Sequence, residues 1–169
     1  MSDALFAHVE LFRKQLTVAR HLLDKGLEHA RAQGVDEAEM LDWRLIDDMQ
    51  PLRFQFAAVS NFAQAWPARA AGLEPLPEAP FDLDADGLRA AIDRSAAFLD
   101  GLKPEQFAGR ADVPITQKLG EVMEPTLPAG RWLSGFATTN LLFHLSIAYA
   151  ILRARGVPIG KPDLFAGGL

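Results

Sequence analysis

Residues 4–31 read ALFAHVELFRKQLTVARHLLDKGLEHAR, and this stretch decides the fold. Its apolar residues recur at steps of three and four, which places them on one side of an α-helix, while the charged residues fall largely off that side. The apolar side is formed by Leu5, Val9, Phe12, Leu16, Ala19, Leu23, Leu27 and Ala30. The pattern predicts a long amphipathic helix that ends near Gly34, because glycine favours the conformation that stops helices.

The following segment, residues 35–71, predicts a short helix and then a second long one. Asp36 is a candidate N-cap for the short helix. Pro51 suits the first turn of the long helix, and Pro67 is expected to kink or end it because proline removes a backbone donor. After Pro67 the chain can resume helix to Ala71, before Gly72. The apolar side of the long helix is formed by Leu52, Phe56, Val59, Phe62, Ala63 and Trp66.

Three prolines within residues 73–80 predict a crossing loop, and two further long helices are expected after it. Asp84 or Asp86 can cap the first of these, and Gly101 ends it. Residues 131–155 predict the last helix. Its middle, LLFHLSIA, is apolar nearly all round, which is typical of a helix buried on several sides.

The segments 113–117 and 122–124 predict the two strands of a small β-hairpin. Their residues alternate in character on either side of a turn at residues 118–121, as in a hairpin. Pro114 and Pro125 would keep both strands at an edge, because proline cannot donate to a strand ladder.

These segments together predict an all-α protein, a four-helix bundle with the small hairpin before its last helix. A chain of 169 residues has the usual size of one domain, so we expect a single domain over residues 1–169. The shared core is expected to contain Leu16, Phe56, Val59, Leu99, Phe143 and Ile147.

Composition and charge exclude several classes of function. The net charge is −5 and the 17 lysines and arginines are dispersed, so nucleic acid is not an expected partner. The chain has no cysteine, which excludes disulfides, thiolate zinc sites and a cysteine nucleophile. The most apolar stretch, residues 141–152, is shorter than the roughly 20 residues that span a bilayer, and the N-terminus lacks the pattern of a secretory signal. We therefore expect a cytoplasmic protein without a membrane partner.

The candidate site centres on His144, which lies in the apolar part of the last helix. Asn140 precedes it by one helical turn on the same side, and Tyr149 lies close to that side. Asp48, just ahead of the second long helix, and Asn61, within it, are further candidates for a polar pocket. One interpretation is a metal ligand or general base, and the other is a core histidine bonded to a neighbouring polar group.

The apolar neighbours of His144 predict that its imidazole is buried and neutral. Burial disfavours the charged form and lowers the pKa of a histidine, whereas a nearby carboxylate raises it. We expect His144 to contact Asn140 or an aspartate near Asp48, with no transition metal bound.

Several segments of the chain are similar to a bacterial family. They are RLIDDM at 44–49, PL at 51–52, KLG at 118–120, FH at 143–144, AYAILR at 148–153 and GVPIGKPD at 156–163. They resemble the family known as domain of unknown function 1993, within the DinB/YfiT-like superfamily of four-helix bundles. The resemblance implies the same fold, a relation to metal-dependent enzymes and small-thiol-dependent transferases, and a homodimer.

The metal site implied by the superfamily has one histidine on the second helix and two on the last helix, four residues apart. In this sequence the positions four residues from His144 are Asn140 and Ala148, and residues 51–71 contain no histidine. Only His144 therefore matches a ligand position, and a single imidazole does not make a zinc site. We expect no metal, and the sequence selects no other cofactor.

Two functions are compatible with the sequence, and only the first could include catalysis. The first is a small-molecule-binding bundle, a degenerate or divergent DinB-like enzyme with a polar pocket around His144. The second is a non-catalytic binding or dimeric assembly domain, in which the buried polar residues are structural. A homodimer is expected from the resemblance. It is also expected because large apolar rings need to be shielded from water, and the chain has three tryptophans: Trp43, Trp66 and Trp132.

Overall fold

Four long helices pack into a bundle in the computed structural model, which describes residues 2–168. The helices are α1 (Ser2–Gln33), the short α2 (Glu37–Leu41), α3 (Leu52–Ala71), α4 (Ala85–Gly101) and α5 (Ala129–Ala154). Single 3₁₀ turns follow α4 and α5, at Pro104–Phe107 and Lys161–Phe165. Both α1 and α3 pack against α4 and α5, and they also contact each other. The prediction of an all-α four-helix bundle is confirmed.

The helix ends follow the expected capping chemistry. The Asp36 side chain accepts a hydrogen bond from the backbone of Ala38 at 2.9 Å and begins α2. The Asp84 carboxylate accepts from the backbone of Gly87 at 2.8 Å, so Asp84 rather than Asp86 caps α4. Gly72 ends α3 with a φ of 76°, a left-handed conformation that side chains other than glycine disfavour.

α3 is the helix that is buried on several sides, and α5 is not. Most residues of α3 are buried, and the helix continues through Pro67 rather than ending there. A proline inside a helix costs about 3 kcal/mol, which the packing of a helix enclosed by its neighbours can offset. Pro67 therefore does not end this helix, which runs on to Ala71 and stops at Gly72, as the sequence allows.

α5 buries only one side, which corrects the expected burial of its apolar middle. The buried side is formed by Leu141, Leu145, Ala148, Ile151 and Leu152. Phe143, expected in the core, is 52% exposed, and Ile147 is half-buried against the core. The other expected core residues are fully buried: Leu16, Phe56, Val59 and Leu99. A run that is apolar all round carries no period, so it cannot indicate which side packs inward.

The first turns of α5 depart from α-helical geometry. Ala129–Arg131 is α-helical, Trp132–Ala137 is π-helical and Thr138–Ala154 is α-helical again. The Thr138 hydroxyl donates to the carbonyl of Leu133 at 2.8 Å, so a side chain helps to satisfy the backbone of the wider turn. The π-helical turn brings Trp132 and Phe136 towards α3, where they pack on Trp66.

By length and composition, α5 is also the helix within residues 2–168 that is long and apolar enough to cross a membrane. This finding corrects the sequence argument, which considered residues 141–152 alone. About a third of its apolar window is buried in the bundle, and the core helix of a soluble protein has the same composition. Composition therefore does not place α5 in a membrane.

The hairpin forms with a different second strand from the one expected. β1 (Pro114–Thr116) pairs antiparallel with β2 (Thr126–Pro128), and Ile115 lies opposite Leu127. Residues 122–124 instead lie in the connection, where a single bridge joins Leu119 to Met123. The indole nitrogen of Trp132 donates to the carbonyl of Ile115 at 2.8 Å and ties the hairpin to α5.

The tryptophans are covered by the chain itself. Trp43, Trp66 and Trp132 are 7%, 4% and 1% exposed, and the Arg155 guanidinium lies 5.5 Å from the ring centre of Trp43. Their need for cover therefore gives no support to a homodimer, contrary to the argument from the sequence.

Truncation of Phe56 and of Phe165 tests the assigned core. Phe56→Ala is expected to lower the free energy of unfolding by about 3–5 kcal/mol, because it leaves a cavity in the core. Phe165→Ala, at a position that is 47% exposed, is the matched control and should cost less than about 1 kcal/mol. Urea denaturation followed by circular dichroism measures both. Equal unfolding midpoints for the two variants would contradict the assignment.

Candidate functional site

An apolar cleft of about 270 Å³ lies between α3, the start of α5, the crossing loop at residues 72–84 and the hairpin. Its aromatic lining is Phe54, Phe62, Trp66, Phe81 and Phe136. Its polar lining is Asn61, Arg69, Glu78, Gln117 and His144. A mostly aromatic cleft with a few polar groups is typical of a small-molecule site.

The aromatic rings of the cleft form a continuous series of contacts. Trp132 stacks on Trp66 with ring centres 4.7 Å apart, and Phe136 packs edge-on against both at 5.3 Å. Phe62 lies between Phe136 and His144, with ring centres 5.9 Å from each. The π-helical turn of α5 supplies two members of this series, and such turns are frequent at functional sites.

His144 closes one end of the cleft and is held by a buried glutamine. Its Nδ1 lies 2.8 Å from Oε1 of Gln55, and Nε2 of Gln55 donates to the carbonyl of Gln50 at 2.9 Å. A backbone carbonyl only accepts hydrogen bonds, so the Gln55 amide must present its oxygen to the imidazole. Nδ1 of His144 therefore carries the proton.

The ring of His144 is neutral and keeps one nitrogen available as an acceptor. Half-burial among the rings of Phe54 and Phe62 desolvates the imidazole and lowers the pKa of His144 below its usual value. With the proton on Nδ1, the other nitrogen, Nε2, has a lone pair. In the part of the chain that the structure describes, Nε2 has no hydrogen-bond partner.

The structure brings together only two of the five residues that the sequence suggested for the pocket. His144 and Asn61 line the cleft, whereas Asn140, Tyr149 and Asp48 do not. The Asn140 amide donates to the carbonyl of Phe136 at 2.8 Å rather than to His144. Asp48 is exposed in the loop before α3, and Tyr149 is half-buried on α5. The expected contact of His144 with Asn140 or Asp48 is wrong, because Gln55 takes that place.

Two side-chain amides of α3 hold the crossing loop. Asn61 donates to the carbonyl of Ala79 at 3.0 Å and accepts from its nitrogen at 2.7 Å. Gln64, one turn along the helix, makes the same pair of bonds with Leu76, at 3.1 and 2.9 Å. Both amides are buried. They fix the wall of the cleft, and Asn61 uses both its amide nitrogen and its amide oxygen in doing so.

Gln55 and Arg69 are the functional candidates that the sequence did not reveal. Gln55 is 2% exposed, but its partners lie five and 89 residues away, and no local pattern indicates the second of these. The Arg69 guanidinium lies 5.0 Å from the ring centre of Trp66. A tryptophan followed three residues later by an arginine in a helix places the two side chains together, which is the signal that could have identified Arg69.

The residues present do not fit the metal site of the DinB-like superfamily. Nδ1 of His144 is bonded to an amide oxygen, Asn140 is turned to the backbone, and Ala148 offers no ligand atom. Over residues 2–168, no group of three or more histidine, aspartate and glutamate side chains is gathered closely enough to hold a metal ion.

Comparison with known proteins gives a family and a fold. A family model described as "Domain of unknown function (DUF1993)" matches residues 6–165. The crystal structure of a DinB family member protein from Shewanella denitrificans superposes with a TM-score of 0.80. It is 29% identical in sequence, and the match covers 92% of this chain and 88% of that one. No curated protein matches the sequence.

A histidine titration tests the arrangement at His144. The pKa of His144 is expected to lie below that of a solvent-exposed histidine, about 6.5, because burial disfavours the imidazolium. Gln55→Glu places a carboxylate against Nδ1 and should raise that pKa. Proton NMR measures both, and the resonance missing from His144→Phe identifies the residue. A wild-type pKa at or above about 6.5, or no rise in Gln55→Glu, would contradict the arrangement.

Proposed function

The chain belongs to the family of domain of unknown function 1993 and has the DinB-like fold, and we propose that it binds a small, largely apolar molecule in the aromatic cleft. The observation that carries this proposal is the cleft itself, a space of about 270 Å³ lined mainly by aromatic rings. Unfilled apolar space forfeits packing contacts, and a bound molecule with an aromatic or aliphatic body would restore them.

His144 is the side chain of the cleft that is suited to react with this molecule. Its Nε2 carries a lone pair, has no hydrogen-bond partner within residues 2–168, and belongs to a ring whose pKa is lowered. A neutral imidazole oriented by a second hydrogen bond is suited to accept a proton from a bound hydroxyl or amine. If the ligand reacts, we propose His144 as its general base, in a DinB-like enzyme that has diverged from metal chemistry.

The other buried polar residues favour a structural role, which supports the alternative of a non-catalytic domain. Ser60 and Ser95 lie 2.8 Å apart between α3 and α4, and Ser60 donates to the carbonyl of Ala91. Asn61 and Gln64 are engaged by the crossing loop. These residues hold the helices and the loop in place, so the proposed chemistry depends on His144.

We also propose a homodimer, formed through the outer side of α5. Leu142 and Phe143 are 39% and 52% exposed on that side, beside the half-buried Ala150. An exposed apolar surface of this kind is typical of an interaction site. A second copy of the chain fits it, since the same surface on two molecules is self-complementary about a twofold axis.

Filling the cleft tests small-molecule binding. The neutral dye N-phenyl-1-naphthylamine is expected to bind the wild-type protein saturably, with a rise in fluorescence. Ala65→Phe places a ring in the cleft lining and should weaken binding by about tenfold or more, a loss of about 1.4 kcal/mol. Ala32→Phe, which adds the same ring to the exposed last turn of α1, is the matched control. Absence of dye binding to the wild type, or equal affinity for all three proteins, would overturn the proposal.

A charge on α5 tests the homodimer. Light scattering after size-exclusion chromatography should give twice the chain mass for the wild type at micromolar concentration. Phe143→Glu should give the monomer mass, because a buried carboxylate without a partner is costly. Val122→Glu, at a hairpin position that is 94% exposed, should remain a dimer. A wild-type protein of monomer mass would contradict the homodimer.

A further inference from the structure

Arg69 is exceptional among the partly buried arginines of residues 2–168. The others all donate to oxygen atoms within the chain: Arg13, Arg20, Arg53, Arg89 and Arg110. Arg69 makes a cation–π contact with Trp66 and donates no hydrogen bond to any described residue. A guanidinium has five N–H donors, and those of Arg69 are open to solvent, where the oxygen atoms of a ligand can replace water.

The end of α3 does not require Arg69. A cation in the last turn of a helix can complement the exposed carbonyls there. In this structure Arg110 performs that role, since its Nε donates to the carbonyl of Ala70 at 2.9 Å. The donors of Arg69 are therefore left for something that the chain itself does not supply.

Arg69 lies where the aromatic cleft opens into a wider groove with both polar and apolar lining residues. It lines the cleft together with Trp66, and it also lines the groove formed by residues 73–78 of the crossing loop and residues 115–117 of the hairpin. A molecule whose apolar body fills the cleft would therefore place its polar end beside this guanidinium.

Resting on the proposed function, we propose that the ligand of the cleft is an aromatic monocarboxylate whose carboxylate pairs with Arg69. The planar fork of a guanidinium matches the two oxygens of a carboxylate, and the bonds are charge-assisted. The rings of Phe54, Phe62 and Phe136, which line the cleft beside Trp66, favour an aromatic body.

The surrounding charge favours a single negative charge on the ligand. Glu78 lines the cleft and, with Glu74, contributes a negative field at Arg69, although neither forms an ion pair with it among the described residues. Both carboxylates oppose the binding of an anion at Arg69, and the repulsion of a doubly charged phosphate is about twice that of a monocarboxylate. A single negative charge is therefore favoured over two.

Matched ligands test this inference in calorimetric titrations of the full chain. 2-Naphthoate and 2-naphthamide have nearly the same shape and differ in charge. The carboxylate is expected to bind wild-type protein about tenfold or more tightly than the amide, the range for a charge-assisted hydrogen bond. Arg69→Gln should abolish that preference, because the glutamine amide cannot form the charge-assisted bonds that distinguish the carboxylate from the amide. Arg94→Gln, on the exposed surface of α4, should keep the preference.

The outcomes separate this inference from the proposed function. Equal affinities of the two ligands, or a preference that survives in Arg69→Gln, would overturn the carboxylate and leave binding in the cleft standing. Tighter binding of 2-naphthyl phosphate than of 2-naphthoate would overturn the choice of a monoanion. If 2-naphthoate, 2-naphthamide and the neutral dye all fail to bind, both proposals fail. Arg69→Lys, which keeps the charge but not the fork, should bind 2-naphthoate with intermediate affinity and serves if Arg69→Gln does not fold.

Discussion

The buried amides of α3 are the constraint on which the rest of the structure depends. This helix is enclosed by its neighbours, yet Gln55, Asn61 and Gln64 project from it where water cannot satisfy them. An unsatisfied buried amide costs free energy comparable to a lost hydrogen bond or more. Each amide therefore fixes a partner. Asn61 and Gln64 determine the path of the crossing loop, and Gln55 determines the orientation of His144.

The cleft follows from these bonds. Because Ala79 and Leu76 are held by the side chains of α3, the crossing loop stays near that helix without filling the space beside Phe62 and Trp66. The other wall is the π-helical turn of α5, which Trp132 anchors to the hairpin. The cleft is thus bounded by hydrogen-bonded walls, and its lining remains apolar. A site of this kind is largely formed before a ligand arrives, which reduces the ordering cost of binding.

The sequence predicts the parts of this arrangement that depend on local pattern. The amphipathic period of α1, the cap at Asp36 and the stop at Gly72 are local, and the structure has each of them. The buried side of α5 was not predictable, because an apolar run has no period. The pairing of Gln55 with His144 joins residues 89 apart and leaves no local signal. The charge pattern does not single out Arg69 either, because a charged residue in a helix usually lies on the solvated side.

Membership in a DinB-like superfamily therefore conveys the fold and not the chemistry. Asn140 is hydrogen-bonded to the backbone and Ala148 lies in the core, so neither adds a metal ligand beside His144. Nδ1 of His144 is itself hydrogen-bonded to the Gln55 amide. This hydrogen bond gives the ring a defined tautomer, with the proton on Nδ1 and the lone pair on Nε2. A helix rises 1.5 Å per residue, so Arg69 lies roughly 10 Å along α3 from Phe62, the ring that stacks on His144. A two-ring aromatic acid is about that long, so a carboxylate at Arg69 would direct the far end of its body towards Nε2 of His144.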